Sequence, residues 1–216
     1  MNDHPVIARI RLNPYNREVQ RDLRDATQMH RTVMRMVPDG LGDSARHQAG
    51  ILYRIDETDT TSTLLVQAHQ LDPDRLPTGY GQADIKNLAP MFTALRKGIA
   101  VRYRIALNPS KRERLSLNEK GRRGPIVPLA GADADQWWLR RANEAGLQLH
   151  VLTPTSLQPA RSRQQDAPRV RHSLIRYDGN ATVTDPDALR TAILQGIGRG
   201  KPYGAGLLSL APVRTP

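Results

Sequence analysis

The chain has 216 residues, 38% of them hydrophobic, with 32 Lys and Arg against 21 Asp and Glu for a net charge of +11. That supplies a core for one large domain or two of about 100 residues each, and the absence of Cys excludes a disulfide framework, a thiolate nucleophile and a cysteine metal site. No apolar run is long enough to span a membrane, and Asp3, His4, Arg9 and Arg11 stand where a signal peptide would be apolar, so a soluble, cytoplasmic protein with a polyanionic partner is expected.

Residues 6–12 (VIARIRL) alternate as a strand, and 22–37 follow helical spacing with Leu23, Ala26, Val33 and Val37 on one stripe. Strands at 52–56 and 64–68 follow, joined by the polar turn ETDTTS. The next stretch, DPDRLPTGYG, carries two Pro and two Gly, which predicts a loop or single turn rather than a helix, with a closing strand at 82–88. A second copy of the pattern starts near Ile99 with IAVRYRIAL. It continues with a helix over 134–145, started by a capping box of Asp133 and Gln136 and stopped by Gly146. Leu147, Leu149 and Val151 alternate, and 173–183 reads as a strand interrupted at Asp178-Gly179 by a turn or bulge. Asp185-Pro186 opens a last helix that ends at Gly196, and GAGLLSLAPV is a terminal strand. The order strand, helix, strand, strand, helix, strand, met twice, predicts an α+β protein of two tandem ferredoxin-like (βαββαβ) domains, 1–95 and 96–216, the second helix of the first domain being reduced.

The charge is concentrated. Lys111–Arg123 (KRERLSLNEKGRR) holds six basic and two acidic residues, and Arg161–Arg171 (RSRQQDAPRVR) holds four Arg against Asp166. Both read as loops, and Arg suits a loop that meets phosphates because its planar fork binds them bidentately. Of the six His residues, no two lie within four positions of each other, so no local metal-binding pair is expected. His30 continues the apolar stripe of the first helix and is followed by Arg31. It is either a core histidine bonded to backbone or a general acid/base at a domain interface, its pKa lowered by burial and a neighbouring cation. The segment GIGRGKPYGAG (196–206), with Arg199 and Lys201, fails as a P-loop because its first glycine is missing and Pro202 fills the Ser/Thr position. It also fails as GxGxxG, having no Gly at 201 or 203. It is an ordinary turn or an anion cradle of backbone amides beside Lys201. Aromatics are few, and IAVRYRIAL offers only Tyr103, which argues for a folded RNA stem over stacked single-stranded bases. The tandem Trp137-Trp138 is expected to pack at the start of its helix.

These segments resemble the CasE (Cse3) family of CRISPR-associated repeat endoribonucleases across almost the whole chain. The most specific stretch is TDPDALRTAILQGIGRGKPYGAGLLSLAPV, joined by HRTVMRMVP around His30, VRYRIALNPSKR and GPIVPLA. The resemblance implies a RAMP-type protein that binds the CRISPR repeat hairpin and cuts at the 3′ base of its stem without metal or cofactor. The 2′-hydroxyl attacks the adjacent phosphate, leaving a 2′,3′-cyclic phosphate and a 5′-hydroxyl, and the protein then stays on the crRNA with other Cascade subunits. His30 matches the family's helix-one His. Thr27 stands where members often have Tyr, so either Tyr15 or Arg31 fills that role or His30 acts with weaker help. For RNA binding, Arg161, Arg163, Arg169 and Arg171 match the hairpin that enters the stem's groove, Lys201 lies in the matching Gly-rich loop, and Lys111, Arg112 and Arg199 complete the candidate set. Rival readings are a non-cleaving structured-RNA-binding module of the same fold and a general RNA-associated scaffold. A DNA nuclease is disfavoured by the lack of a carboxylate and His metal cluster.

Overall fold

The computed structural model describes residues 5–113, 124–161 and 171–213. The first part runs β1 (Val6–Leu12), α1 (Arg17–Arg24), α2 (Ala26–Arg35), a short α3 (Ala45–Gln48), β2 (Leu52–Glu57), β3 (Ser62–Ala68), a 3-10 turn at Pro73–Arg75 and β4 (Gly81–Asn87). Its four strands form an antiparallel sheet in the order β2-β3-β1-β4. This is a ferredoxin-like unit whose second helix has shrunk to the 3-10 turn, as the Pro and Gly of that stretch predict. Ala8, Ile10 and Leu12 of β1 point inward while Arg9 and Arg11 point out, which fixes its register. The inward set packs with Val19, Met29, Val33 and Met36 of the helical layer.

The helix expected over 22–37 is two helices. Asp25 is extended (φ −139°, ψ 105°) and caps α2, its carboxylate accepting from the amides of Thr27 at 2.9 Å and Gln28 at 3.4 Å. Leu23 therefore lies on α1 and is 36% exposed, and the buried stripe of α2 is Met29, Thr32 and Val33. His30 is displaced from that stripe and only half-buried.

The second part runs α4 (Ala89–Ala94), β5 (Ala100–Leu107), β6 (Ser110–Arg112), β7 (Ile126–Pro128), α5 (Gly131–Glu144), β8 (Leu147–Leu149), β9 (Thr153–Ser156), β10 (Ala160–Arg161), β11 (Arg171–His172), β12 (Ile175–Val183), α6 (Pro186–Gln195), a 3-10 turn at Lys201–Tyr203 and β13 (Leu208–Pro212). The main sheet is antiparallel in the order β13-β5-β12-β8, with β9 also on β12. It has the same ferredoxin-like order, with the second strand in two pieces, so the chain is α+β with two such units in tandem. Trp138, Tyr103, Tyr177, Leu189 and Ile193 form its core, as expected for the Trp pair, and Trp137 is buried beside them. Phe92 and Leu95 belong to this second core, and Leu88 and Met91 pack against it.

Two expectations for this half are corrected. The interruption at Asp178-Gly179 lies on the opposite strand: β12 is continuous, and the amides of His150 and Val151 both reach the carbonyl of Asn180 between β8 and β9. The helix α5 begins at Gly131, and its N-cap Ala130 makes no side-chain cap bond. Asp133 sits inside the first turn, where it faces the positive end of the helix dipole.

The two units are tied through the β2-β3 edge. Arg54 Nη1 donates to the carbonyls of Arg104 and Leu207, both at 3.0 Å, and Gln67 Nε2 donates to the carbonyl of Ile193 at 2.8 Å. Tyr53 Oη donates to the carbonyl of Pro202 at 2.8 Å. These bonds seat the Gly-rich segment over β2 and α2.

Candidate functional site

His30 lies one turn into α2. Its ring stacks on that of Tyr53 with centroids 6.5 Å apart and planes 21° from parallel. Nδ1 is buried without a hydrogen-bond partner among the described residues, whereas Nε2 is not sealed in this way. Burial, and then the Arg46 guanidinium, push the His30 pKa below its ordinary value. The cation acting on His30 is therefore Arg46 of α3, in place of the sequence neighbour Arg31, which is exposed. A neutral imidazole with one open nitrogen is suited to take a proton near neutral pH.

The Gly-rich loop closes over this point. Gly204 is buried with φ +84°, and a Cβ there would lie 3.4 Å from the Tyr53 ring, so this turn over the ring favours glycine. Lys201 is half-buried in the loop, and its pKa is lowered by burial and then by Arg46. Arg46 thus lies within electrostatic reach of both His30 and Lys201. Among the described residues neither Arg46, Lys201 nor Arg199 takes part in an ion pair. Cations left unpaired beside a neutral imidazole make a site for an anion.

On the other side of the loop, Tyr203 packs against His172 with ring centroids 4.5 Å apart. His172 lies at the base of the β10-β11 hairpin, opposite Ala160, and Arg161 pairs with Arg171 in the backbone register. A cavity of about 360 Å³ between the units is lined by Ala26, Met29, Tyr53, Ala160, Leu174 and Tyr203 among others. It connects the helix that carries His30 with the hairpin base.

The structure places His30 and Lys201 each within electrostatic reach of Arg46, and the rest of the expected set lies apart from them. Thr27 is one turn before His30, in the first turn of α2. Tyr15 precedes α1 with its side chain 89% exposed. Arg199 is exposed at the loop's start, and Lys111 and Arg112 are exposed on β6, where Arg112 Nη1 donates to the Gly124 carbonyl at 2.6 Å. The side chains of Arg161 and Arg171, and the whole of Arg163 and Arg169, lie outside the described residues. Sequence reasoning missed Arg46, Tyr53, His172 and Tyr203. Arg46 sits in a four-residue helix with no periodic signal, and Tyr53 reads as an ordinary strand residue. Among the described residues no group of three His, Asp or Glu could hold a metal ion.

The sequence model of the family described as CRISPR associated protein matches residues 7–212. Among curated proteins the chain is similar to the CRISPR-associated endoribonuclease Cse3 of Thermus thermophilus, 28% identical over 218 residues that cover 95% of this chain and 99% of that protein. Among solved structures it is similar to Thermus thermophilus Cse3 bound to an RNA representing a pre-cleavage complex, with a TM-score of 0.78 and 29% identity over 97% of this chain and all of the other (100%). It is also similar to a chain of a CRISPR RNA-guided surveillance complex, pre-nicking, with 37% identity and a TM-score of 0.72 over 96% of this chain and 100% of that one.

Proposed function

The chain belongs to the CRISPR-associated protein family matched over residues 7–212, and from that premise we propose that it is a metal-independent endoribonuclease that cuts the CRISPR repeat hairpin and keeps the product. The observation that carries the reading is His30, half-buried with only Nδ1 sealed and its pKa lowered by burial and then by Arg46, beneath a loop that places Lys201 within reach of the same Arg46. In this mechanism His30 takes the proton of the 2′-hydroxyl 5′ to the cut. The 2′-oxygen bonds to phosphorus as the bond from phosphorus to the 5′-oxygen breaks, and the proton held on His30 passes, directly or through water, to the departing 5′-oxygen, which returns His30 to its neutral form. The products are a 2′,3′-cyclic phosphate and a 5′-hydroxyl. Arg46 and Lys201 stabilise the charge gathering on the phosphoryl oxygens.

The remaining roles follow the layout. The first unit supplies the catalytic helix and the second supplies the grip on the stem, through the basic hairpin (Arg161, Arg163, Arg169, Arg171) and the Gly-rich loop with Arg199. Lys111 and Arg112 add phosphate contacts from β6. Thr27 and Arg31 flank His30 on α2 without supplying the proton carrier, and Tyr15 is a surface residue able to meet RNA. After cleavage the protein remains on the crRNA as a subunit of cytoplasmic Cascade, a role supported by the likeness to a chain of a surveillance complex.

The test is cleavage of end-labelled repeat hairpin by wild type and His30→Ala under single-turnover conditions, with binding measured in parallel. The proposal expects one cut at the stem base by wild type, and a loss of about 100-fold or more in rate with retained binding for the variant. Wild type that binds the hairpin intact would replace the proposal with the non-cleaving module.

A further inference from the structure

His172 stands apart from the machinery just described, yet it joins three of its parts. It sits on β11 at the base of the basic hairpin, its ring packs on Tyr203 of the Gly-rich loop, and its Nδ1 is 2.7 Å from Nδ2 of Asn108, just beyond β5. An amide nitrogen only donates, so Nδ1 is the acceptor in this bond and the ring proton resides on Nε2. Among the described residues Nε2 has no partner and is not among the sealed polar atoms. A half-buried ring, held at one nitrogen and presenting an N–H at the other, is a prepared hydrogen-bond donor.

Resting on the function proposed above, we infer that His172 contacts the substrate: its Nε2–H donates to a phosphate oxygen of the RNA strand where that strand passes between the basic hairpin and the Gly-rich loop. The surroundings suit a neutral donor. Burial and then the Arg199 guanidinium lower the His172 pKa, so the ring carries no charge of its own near neutral pH. Arg199 and Lys201 supply the positive field that draws the phosphate in. Asn108 is then a positioning residue that acts through the imidazole.

Four substitutions at this position separate a phosphate contact from packing. Single-turnover cleavage and dissociation constant are measured with the repeat hairpin for His172→Ala, His172→Gln, His172→Asn and His172→Phe, with thermal melting as a check on folding. A lost hydrogen bond to a charged group is worth about 10- to 100-fold, and His172→Ala is expected to lose that much in cleavage rate or affinity. Gln places its amide nitrogen near the imidazole Nε2 position and recovers most of the loss. Asn places its nitrogen near Nδ1 and does not, and Phe keeps the contact with Tyr203 yet stays impaired. Recovery by Phe and not by Gln, or wild-type behaviour of His172→Ala, would overturn the inference in favour of packing alone. If wild type binds without cutting, the endoribonuclease reading fails by itself, and the same ordering read in the dissociation constants still decides the phosphate contact. If His172→Ala does not fold, the comparison of Gln with Phe decides.

Discussion

Replacing Arg54 by Ala removes the main polar tie between the two units. The side chain is 2% exposed, and its Nε and Nη2 donate to the two carboxylate oxygens of Asp56 at 2.8 and 3.0 Å. Its Nη1 meets the carbonyls of Arg104 and Leu207. Removing one member of a buried pair costs about 3–5 kcal/mol, because the partner stays desolvated. Asp56 keeps a longer link to Arg104 at 3.7 Å and is 17% exposed, which places the expected loss near the lower bound, about 3 kcal/mol. In a chain of this size each kcal/mol lowers the melting temperature by about 2–4 °C, so Arg54→Ala is expected to melt about 6–12 °C below wild type. Circular dichroism melting and urea titration read the loss. Because Leu207 directly follows the Gly-rich loop, RNA cleavage should also slow below the melting range. A melting temperature within about 2 °C of wild type, with unchanged cleavage, would refute the claim that this side chain fastens the units.

Three further outcomes are expected. NMR titration of the free protein should give His30 a midpoint below the ordinary 6.5, and Arg46→Gln should raise it while leaving it depressed, since burial is the larger cause. The folded-state pKa lies below the unfolded one, so His30 costs nothing above about pH 6.5, and stability is lost as the pH falls from there toward the folded value; His30→Gln should flatten that part of a melting curve against pH. Tyr53→Phe removes the bond to the Pro202 carbonyl and should cost about 1 kcal/mol of stability, with slower cleavage as the loop over His30 loosens, read by melting and single-turnover assays.

The alternation of β1 and β5, the Asp185-Pro186 start of α6 and the poverty of the segment before β4 made both units legible from local chemistry. The break between α1 and α2 was legible too, in Asp25 followed by Gln28, but the hydrophobic stripe outweighed it, and a continuous helix put His30 in line with core residues. The β8-β9 bulge was assigned to the wrong strand because Asp178-Gly179 carries the turn chemistry. The reason for Gly179 is across the sheet: a Cβ there would strike the Val151 carbonyl at 1.9 Å. The site was half legible. His30 and Lys201 stood out by residue type, whereas Arg46, Tyr53, Tyr203 and His172 join them only through contacts between segments far apart in sequence.

2′-Hydroxyl chemistry assisted by His30 leaves two signatures, independence from metal ions and dependence on the attacking hydroxyl. Its most direct test is incubation of the purified protein with repeat hairpin in EDTA, beside the same RNA carrying a single 2′-deoxy substitution 5′ to the cut. The ribose substrate should be cut once at the stem base, ending in a cyclic phosphate, and the deoxy RNA should stay intact while being bound equally well. Cleavage of the deoxy substrate, or cleavage that EDTA abolishes and a divalent ion restores, would contradict it.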